Sequence, residues 1–403
     1  MRLTIRNLVG TGLLLLGVGA CSGGSQPAAD ADGDGGADGG SQLDAGDGGG
    51  DAGPLDGGER PDGAGDGGGD AGPLDGDERP DGGGDRADAG GGADDGSFPA
   101  LPEDPAAAGP EAVIEAEAVF PVPDDPGAEL ALTVRLPASG QDLPLVVLNH
   151  GFQLRPSQYL SYAEHLASWG YAVVLPGYPG SILAPRNHRR LADDLLALLD
   201  WLESQGPDPA GLFEGRVDPG RLALAGHSMG GKIALLVASE DERPLTVFGI
   251  DPVDAAGGPF GGDPEKYPSV TPERMDAISV PLVLLGETVS ATCTGFACQA
   301  CAPEEDNFHQ YFIHATAPAL EIELVGADHM AFLDNPDCGL VCSACPDGPT
   351  PPEQVRRLTR RALLAHLQSR VRGLEAWRVF LDGAAAVRDE VDGLLLLDAA
   401  NGF

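Results

Sequence analysis

The chain has 403 residues and a formal net charge of −39, from 63 Asp and Glu against 24 Lys and Arg. A balance so acidic argues against nucleic-acid or polyanion binding, because neutralising phosphates needs clustered basic residues. The 60 glycines and 35 prolines sit in a chain that is still 42% apolar, which allows one large core outside the glycine-rich part.

Residues 1 to 21 have the layout of an export signal. Arg2 and Arg6 precede a short apolar run, Leu8 to Gly19, too brief to span a bilayer. The run ends in Val18-Gly19-Ala20-Cys21, which resembles the lipobox of bacterial lipoproteins. That resemblance implies cleavage before Cys21 and a diacylglycerol on its sulfur. It would hold the protein at a membrane of the bacterial cell envelope, facing the periplasm or the exterior. An ordinary cleaved signal with an incidental cysteine is the alternative. Several acyl chains, at about 0.8 kcal/mol per buried CH₂, suffice to anchor a soluble domain.

Residues 22 to 98 hold 20 acidic and 3 basic residues and almost no large apolar ones. Such a segment cannot bury enough surface to offset the entropy of ordering glycine. GGGDAGPLDGGERPDGAGD at Gly48 to Asp66 recurs as GGGDAGPLDGDERPDGGGD at Gly67 to Asp85. The copies lack the apolar positions of calcium-binding β-roll repeats, so a flexible, self-repelling tether is expected rather than a calcium module.

The folded domain is expected over residues 99 to 403. Val113 to Phe120 and Leu130 to Leu136 alternate apolar and polar residues, as half-buried antiparallel strands do. Leu145 to Leu148 is an unbroken apolar run, the mark of a strand covered on both faces. A helix is predicted over Ser157 to Trp169, a strand over Tyr171 to Leu175, and an amphipathic helix over Asn187 to Glu203. Then follow the strand Leu222 to Ala225, the helix Met229 to Ala238, and strands at Thr246 to Ile250, Leu282 to Leu285 and Leu320 to Val325. Glu353 to Val371 reads as a final helix. Alternating strands and helices predict an α/β fold with a mostly parallel sheet, helices on both faces and antiparallel strands at the N-terminal side. Reactive groups of such sheets gather at the carboxyl ends of the strands.

The segment Gly226-His227-Ser228-Met229-Gly230-Gly231 lies between a strand and a helix. G-x-S-x-G in that context is a nucleophile elbow, with glycines where strand and helix pack too closely for side chains. Ser228 is the candidate nucleophile. The amide of Met229 is one candidate oxyanion donor, and that of Phe152, in Asn149-His150-Gly151-Phe152, is the second. Losing one such donor costs ~3 kcal/mol. His150, placed before the glycine, reads as structural.

A serine needs a base held by an acid. Of the 8 histidines, His329 follows the strand ending at Val325 and is the candidate base. His309 and His314 precede that strand, and His165, His188 and His366 fall on helices, where surface positions are expected. Two acids compete: Asp251, which follows Ile250 and precedes Pro252, and Glu287, which follows Gly286. Asp251 is preferred because it emerges at a strand end and the proline stiffens its loop. Asp254 is a third choice, and Asp328 reads as a neighbour of the base.

These pieces together resemble a branch of the α/β-hydrolase superfamily. It contains chlorophyllases, platelet-activating-factor acetylhydrolases and related bacterial esterases, near the dienelactone hydrolases and polyester hydrolases. The matching stretches are Asn149 to Phe152, Gly226 to Gly231, Gly249 to Val253 and DHMAFLD at Asp328 to Asp334. The resemblance implies an α/β-hydrolase fold, a Ser-His-Asp triad with the acid on the earlier strand, as Asp251 is, and ester hydrolysis. Chlorophyllases commonly have glycine where this chain has Asp328, and chlorophyll itself is not implied as the substrate.

Six cysteines follow Cys21: Cys293, Cys298 and Cys301 in one loop, Cys338, Cys342 and Cys345 in another. Their C-x-x-C spacings would suit a metal, but export and an even number favour disulfides, with connectivity left open. Bridges between the two groups would clamp the loop that carries His329. The expected chemistry is acyl transfer to Ser228 from a small-molecule or lipid ester, with no cofactor and no metal, in a monomer. Residues 257 to 278, with Phe260 and Tyr267, are expected to border the substrate pocket. A catalytically silent surface-binding lipoprotein, or an amidase or peptidase of the same fold, are the alternatives.

Overall fold

A computed structural model describes residues 101–403, apart from 103, 124, 126, 179–186, 256–261, 295–297 and 337–341. Cys21, the acidic tether, Phe260 and Cys338 lie outside the described residues. All described residues belong to one unit, Gly92–Phe403.

That unit is built on a nine-stranded sheet. Its strands are β1 (Val113–Pro121), β2 (Glu129–Pro137), β3 (Leu143–Asn149), β4 (Ala172–Gly177), β5 (Val217–His227), β6 (Val247–Ile250), β7 (Leu282–Glu287), β8 (Ala319–Leu324) and β9 (Leu395–Ala400). They lie in the order β1-β2-β4-β3-β5-β6-β7-β8-β9. From β4 to β8 every pairing is parallel; β1 and β2 are antiparallel at one edge, and β9 is antiparallel at the other. The helices are α1 (Leu160–Ser168), α2 (His188–Gln205), α3 (Met229–Ala238), α4 (Phe308–His314), α5 (Pro352–Arg370) and α6 (Ala384–Val391). This is the α/β-hydrolase fold. Among the described residues no helix is long and apolar enough to cross a membrane.

The two faces follow from the period of two along a strand. Leu145 and Val147 of β3 point into a core with α2, α3 and α4, while Val146 and Leu148 point into a second core with α1 and α5. All seven residues of β3 are buried, which is why it reads as a continuous apolar run. Asn187, expected to begin a helix, instead caps α2, its side chain accepting from the amide of Arg190.

Two groups of features depart from expectation. Helices α4 and α6 and strand β9 are additional, being too short to carry a full pattern; β9 comes from an apolar run that suits either helix or strand. The helical histidines are not at the surface: His165 and His188 are each 6% exposed, and His366 is 0% exposed. Each lies on its helix's apolar stripe. His188 is three and seven residues before the buried Leu191 and Leu195, and His366 lies beside Leu363 and Leu367 with its Nε2 on the Thr246 hydroxyl. Burial pushes the pKa of His165 down to about 4, and those of His188 and His366 down to about 3.

Candidate active site

The strand ends are in register. Asn149 of β3 stands beside Gly226 of β5, His227 beside Ile250 of β6, and Ile250 beside Leu285 of β7. The residues immediately beyond these ends therefore share one rim.

Ser228 sits at the turn from β5 into α3 with φ 55° and ψ −123°, a conformation that an L-residue holds only under constraint. The constraint is close packing. A Cβ on Gly226 would strike the backbone of Gly230, and one on Gly230 would strike the backbone of Asn149. A Cβ on Gly231 would stand 2.8 Å from that of Pro252. The glycines thus bring strand, helix and neighbouring loops together and hold the serine outward.

From Ser228 a line of hydrogen bonds runs inward. Ser228 Oγ lies 3.0 Å from His329 Nε2, and His329 Nδ1 lies 2.6 Å from Asp251 Oδ2. A carboxylate accepts, so Nδ1 carries the hydrogen and Nε2 is left to accept from the serine. Asp251 is fully buried, and its Oδ1 has no hydrogen-bond partner among the described residues. Burial pushes its carboxyl up, against the hydrogen bond and charge of His329, which pull it down.

The other acids are occupied elsewhere. Glu287 accepts from the amides of Val289 and Ser290, and burial, with the charge of Asp251, pushes its pKa up to about 8. It holds the turn whose Ser290 hydroxyl accepts from the His329 amide at 3.0 Å. Asp254 forms a buried ion pair with Lys232, 3.1 Å apart. Asp328 accepts from the amides of Met330, Ala331 and Gly348, and so folds the loop around His329.

On the other side of Ser228 lies the loop after β3. A Cβ on Gly151 would come within 3.2 Å of the Ser228 Cβ, so this loop passes directly over the serine. Phe152 follows it. Met229 is the first residue of α3, so its amide has no intrahelical acceptor. His150 has a structural place: its Nε2 accepts from the Tyr178 amide at 2.9 Å, and Nδ1 bonds the Gly151 carbonyl. Tyr267, expected near the pocket, packs edge-on against His188.

A family model described as chlorophyllase matches residues 113–382. The chain belongs to the chlorophyllase family. Chlorophyllase-2 of Arabidopsis thaliana is 29% identical over 223 residues, covering 53% of this chain and 68% of that protein. Chlorophyllase-1, chloroplastic, of Citrus unshiu is 25% identical over 292 residues, 69% of this chain and 84% of that one. Chlorophyllase-1 of Arabidopsis thaliana is 26% identical over 235 residues, 55% and 69% of the two chains. Membership places this chain among α/β-hydrolase-fold ester hydrolases. The matched span contains Gly151, Ser228, Asp251 and His329.

Among the described residues two disulfides form, Cys293–Cys298 and Cys301–Cys345. The second joins the two cysteine-bearing loops, and the Gln299 amide donates to the Ala344 carbonyl alongside it. Cys342 lies in a short 3-10 turn, Cys342–Ala344. Two features of the site escaped sequence reasoning. Lys232 and Asp254 join α3 to the loop after β6, and His227, inside the serine motif, is fully buried against His329. The only signal for the first was a lysine in an otherwise apolar helix.

Proposed function

We propose that the protein hydrolyses carboxylic esters through an acyl-enzyme on Ser228. His329 takes the proton of Ser228 as its Oγ attacks the ester carbonyl, and the amides of Phe152 and Met229 hold the oxyanion. His329 then gives that proton to the leaving alcohol. Water, deprotonated by the same imidazole, attacks the acyl-enzyme, releasing the acid and restoring the serine. Asp251 keeps Nδ1 protonated and stabilises the imidazolium. The observation that carries this reading is the unbroken line of contacts from Ser228 through His329 to Asp251, at 3.0 and 2.6 Å.

Turnover of p-nitrophenyl acetate and butyrate tests it. Ser228→Ala should lose about 10⁴-fold or more in kcat; retained turnover would reject the serine. Faster hydrolysis of matched anilides than of esters would favour an amidase instead. An inactive wild type would favour a binding role.

The substrate class we assign is a small-molecule or lipid ester, met at a bacterial envelope membrane where a lipid on Cys21 holds the domain. The lipobox-like Val18 to Cys21 and the acidic stretch after it support this placement. Cys21→Ala should move the protein from the membrane to the soluble fraction; an unchanged distribution would remove the anchor from the account.

A further inference from the structure

The motif's second residue, His227, does something that the triad does not require. Its ring is fully buried at the end of β5 and lies 4.6 Å, centroid to centroid, from the ring of His329. Its Nε2 is 3.1 Å from the carbonyl oxygen of His329. A carbonyl only accepts, so Nε2 carries the hydrogen and Nδ1 must accept. Nδ1 faces the hydroxyl of Tyr159 at 2.8 Å, which therefore donates. The same hydroxyl oxygen accepts from the amide of Gly151 at 3.1 Å. Each donor has one acceptor, and the direction of every bond is fixed.

This uncharged chain spans the site behind the nucleophile. One end is Gly151, in the loop that carries the Phe152 amide. The other is the backbone of His329. We infer that Tyr159 and His227 are positioning residues: they set the distance between the oxyanion loop and the base loop, and so align both on Ser228. The inference rests on the hydrolase reading of that site. Because both side chains are fully buried, its signature is in the rate and not in binding.

His227 must stay neutral for the chain to hold, since a proton on Nδ1 would oppose the Tyr159 hydroxyl hydrogen. Burial, and then the nearby His329, push its pKa well below the ordinary histidine value. It therefore remains uncharged while the adjacent His329 ring takes a proton in the reaction. The Phe332 ring packs against the His227 ring, 5.7 Å between centroids.

The test uses Tyr159→Phe, His227→Phe and the double variant in the full-length protein, with p-nitrophenyl butyrate and a melting curve for each. Tyr159→Phe removes one oxygen and serves if the ring exchange at 227 unfolds the protein. Each single variant should lose 10- to 100-fold in kcat per folded molecule, with KM nearly unchanged. The double variant should be no slower than the slower single, because both break one chain. Wild-type kcat in the folded single variants, losses that multiply in the double, or a change confined to KM or melting temperature would each overturn the inference. Ser228→Ala measured in parallel keeps the two readings apart: if it retains turnover, the hydrolase reading fails, whatever the Tyr159 and His227 variants do.

Discussion

Asp251 and Asp254 stand three residues apart after β6, and both are buried, yet their surroundings differ sharply. Asp254 is saturated. It accepts from the Ser269 and Thr271 hydroxyls and the Val270 and Thr271 amides, and it pairs with Lys232, whose ammonium also donates to the Ala255 carbonyl. Among the described residues Asp251 has one side-chain partner, His329, and an oxygen with none. A saturated carboxylate ties a loop to a helix. An undersatisfied one, held at a positive-φ position (φ 43°), leaves its field directed at a single imidazole. Burial alone does not distinguish a structural acid from a catalytic one; the number and kind of donors do.

Exchanging each for its amide should separate the two in opposite ways. Asp251→Asn should lose about 10⁴-fold in kcat, since the amide favours the wrong histidine tautomer, with little change in melting temperature. Asp254→Asn leaves Lys232 buried without its counter-charge. It should lower stability by roughly 3–5 kcal/mol, read by urea denaturation, while folded molecules keep most of their kcat. If Asp254→Asn proved the slower enzyme and Asp251→Asn the less stable protein, the contrast would be reversed and the assignment of the acid with it. Glu287→Gln sharpens the same comparison, because Glu287 was the competing acid in the sequence. Its kcat should fall far less than that of Asp251→Asn.

A smaller effect belongs to the Cys301–Cys345 bridge. Replacing Cys301 and Cys345 together with serine opens a loop of sequence separation 44 and should cost about 2–4 kcal/mol of stability. Activity should fall with it as the base loop loosens, and an unchanged melting temperature would show that the clamp contributes nothing.

A separate response to acid belongs to the buried neutral histidines. His150 and His165 are held down to about 4, and His188 and His366 to about 3, all by burial. The unfolded chain takes up these protons near pH 6.5, whereas the folded protein does not until pH 3–4. Their contribution is therefore complete above pH 6.5 and is lost as the pH falls toward 4, each residue adding a slope of ~1.4 kcal/mol per unit at most. Urea midpoints between pH 7 and 4 should fall steadily; a flat profile would contradict the burial of these rings.

Much of this was legible in the sequence for identifiable reasons. The parallel strands are buried on both faces, so β3, β4, β6 and β7 appear as apolar runs, and the elbow glycines mark the only backbone that fits between β5 and α3. Ser228, His329 and Asp251 each follow a strand, and register at the rim then brings them together. What stayed hidden depends on partners distant in sequence. Nothing local marks Lys232 for Asp254, or Tyr159 for His227, which are 68 residues apart. The buried histidines look exposed in the sequence because a polar residue on an apolar stripe resembles an interruption, and its partner, such as Thr246 for His366, is distant along the chain.

The central claim is that Ser228 is the group that becomes acylated, driven by His329 and Asp251. Its most direct test is peptide mass mapping after reaction with a p-nitrophenyl alkylphosphonate, which mimics the acyl-transfer step and halts there. One phosphonyl group on the peptide containing Ser228, formed as esterase activity disappears and far more slowly in Asp251→Asn, is the result predicted. Full inactivation with the adduct on another residue, or an Asp251→Asn variant labelled at the wild-type rate, would contradict it.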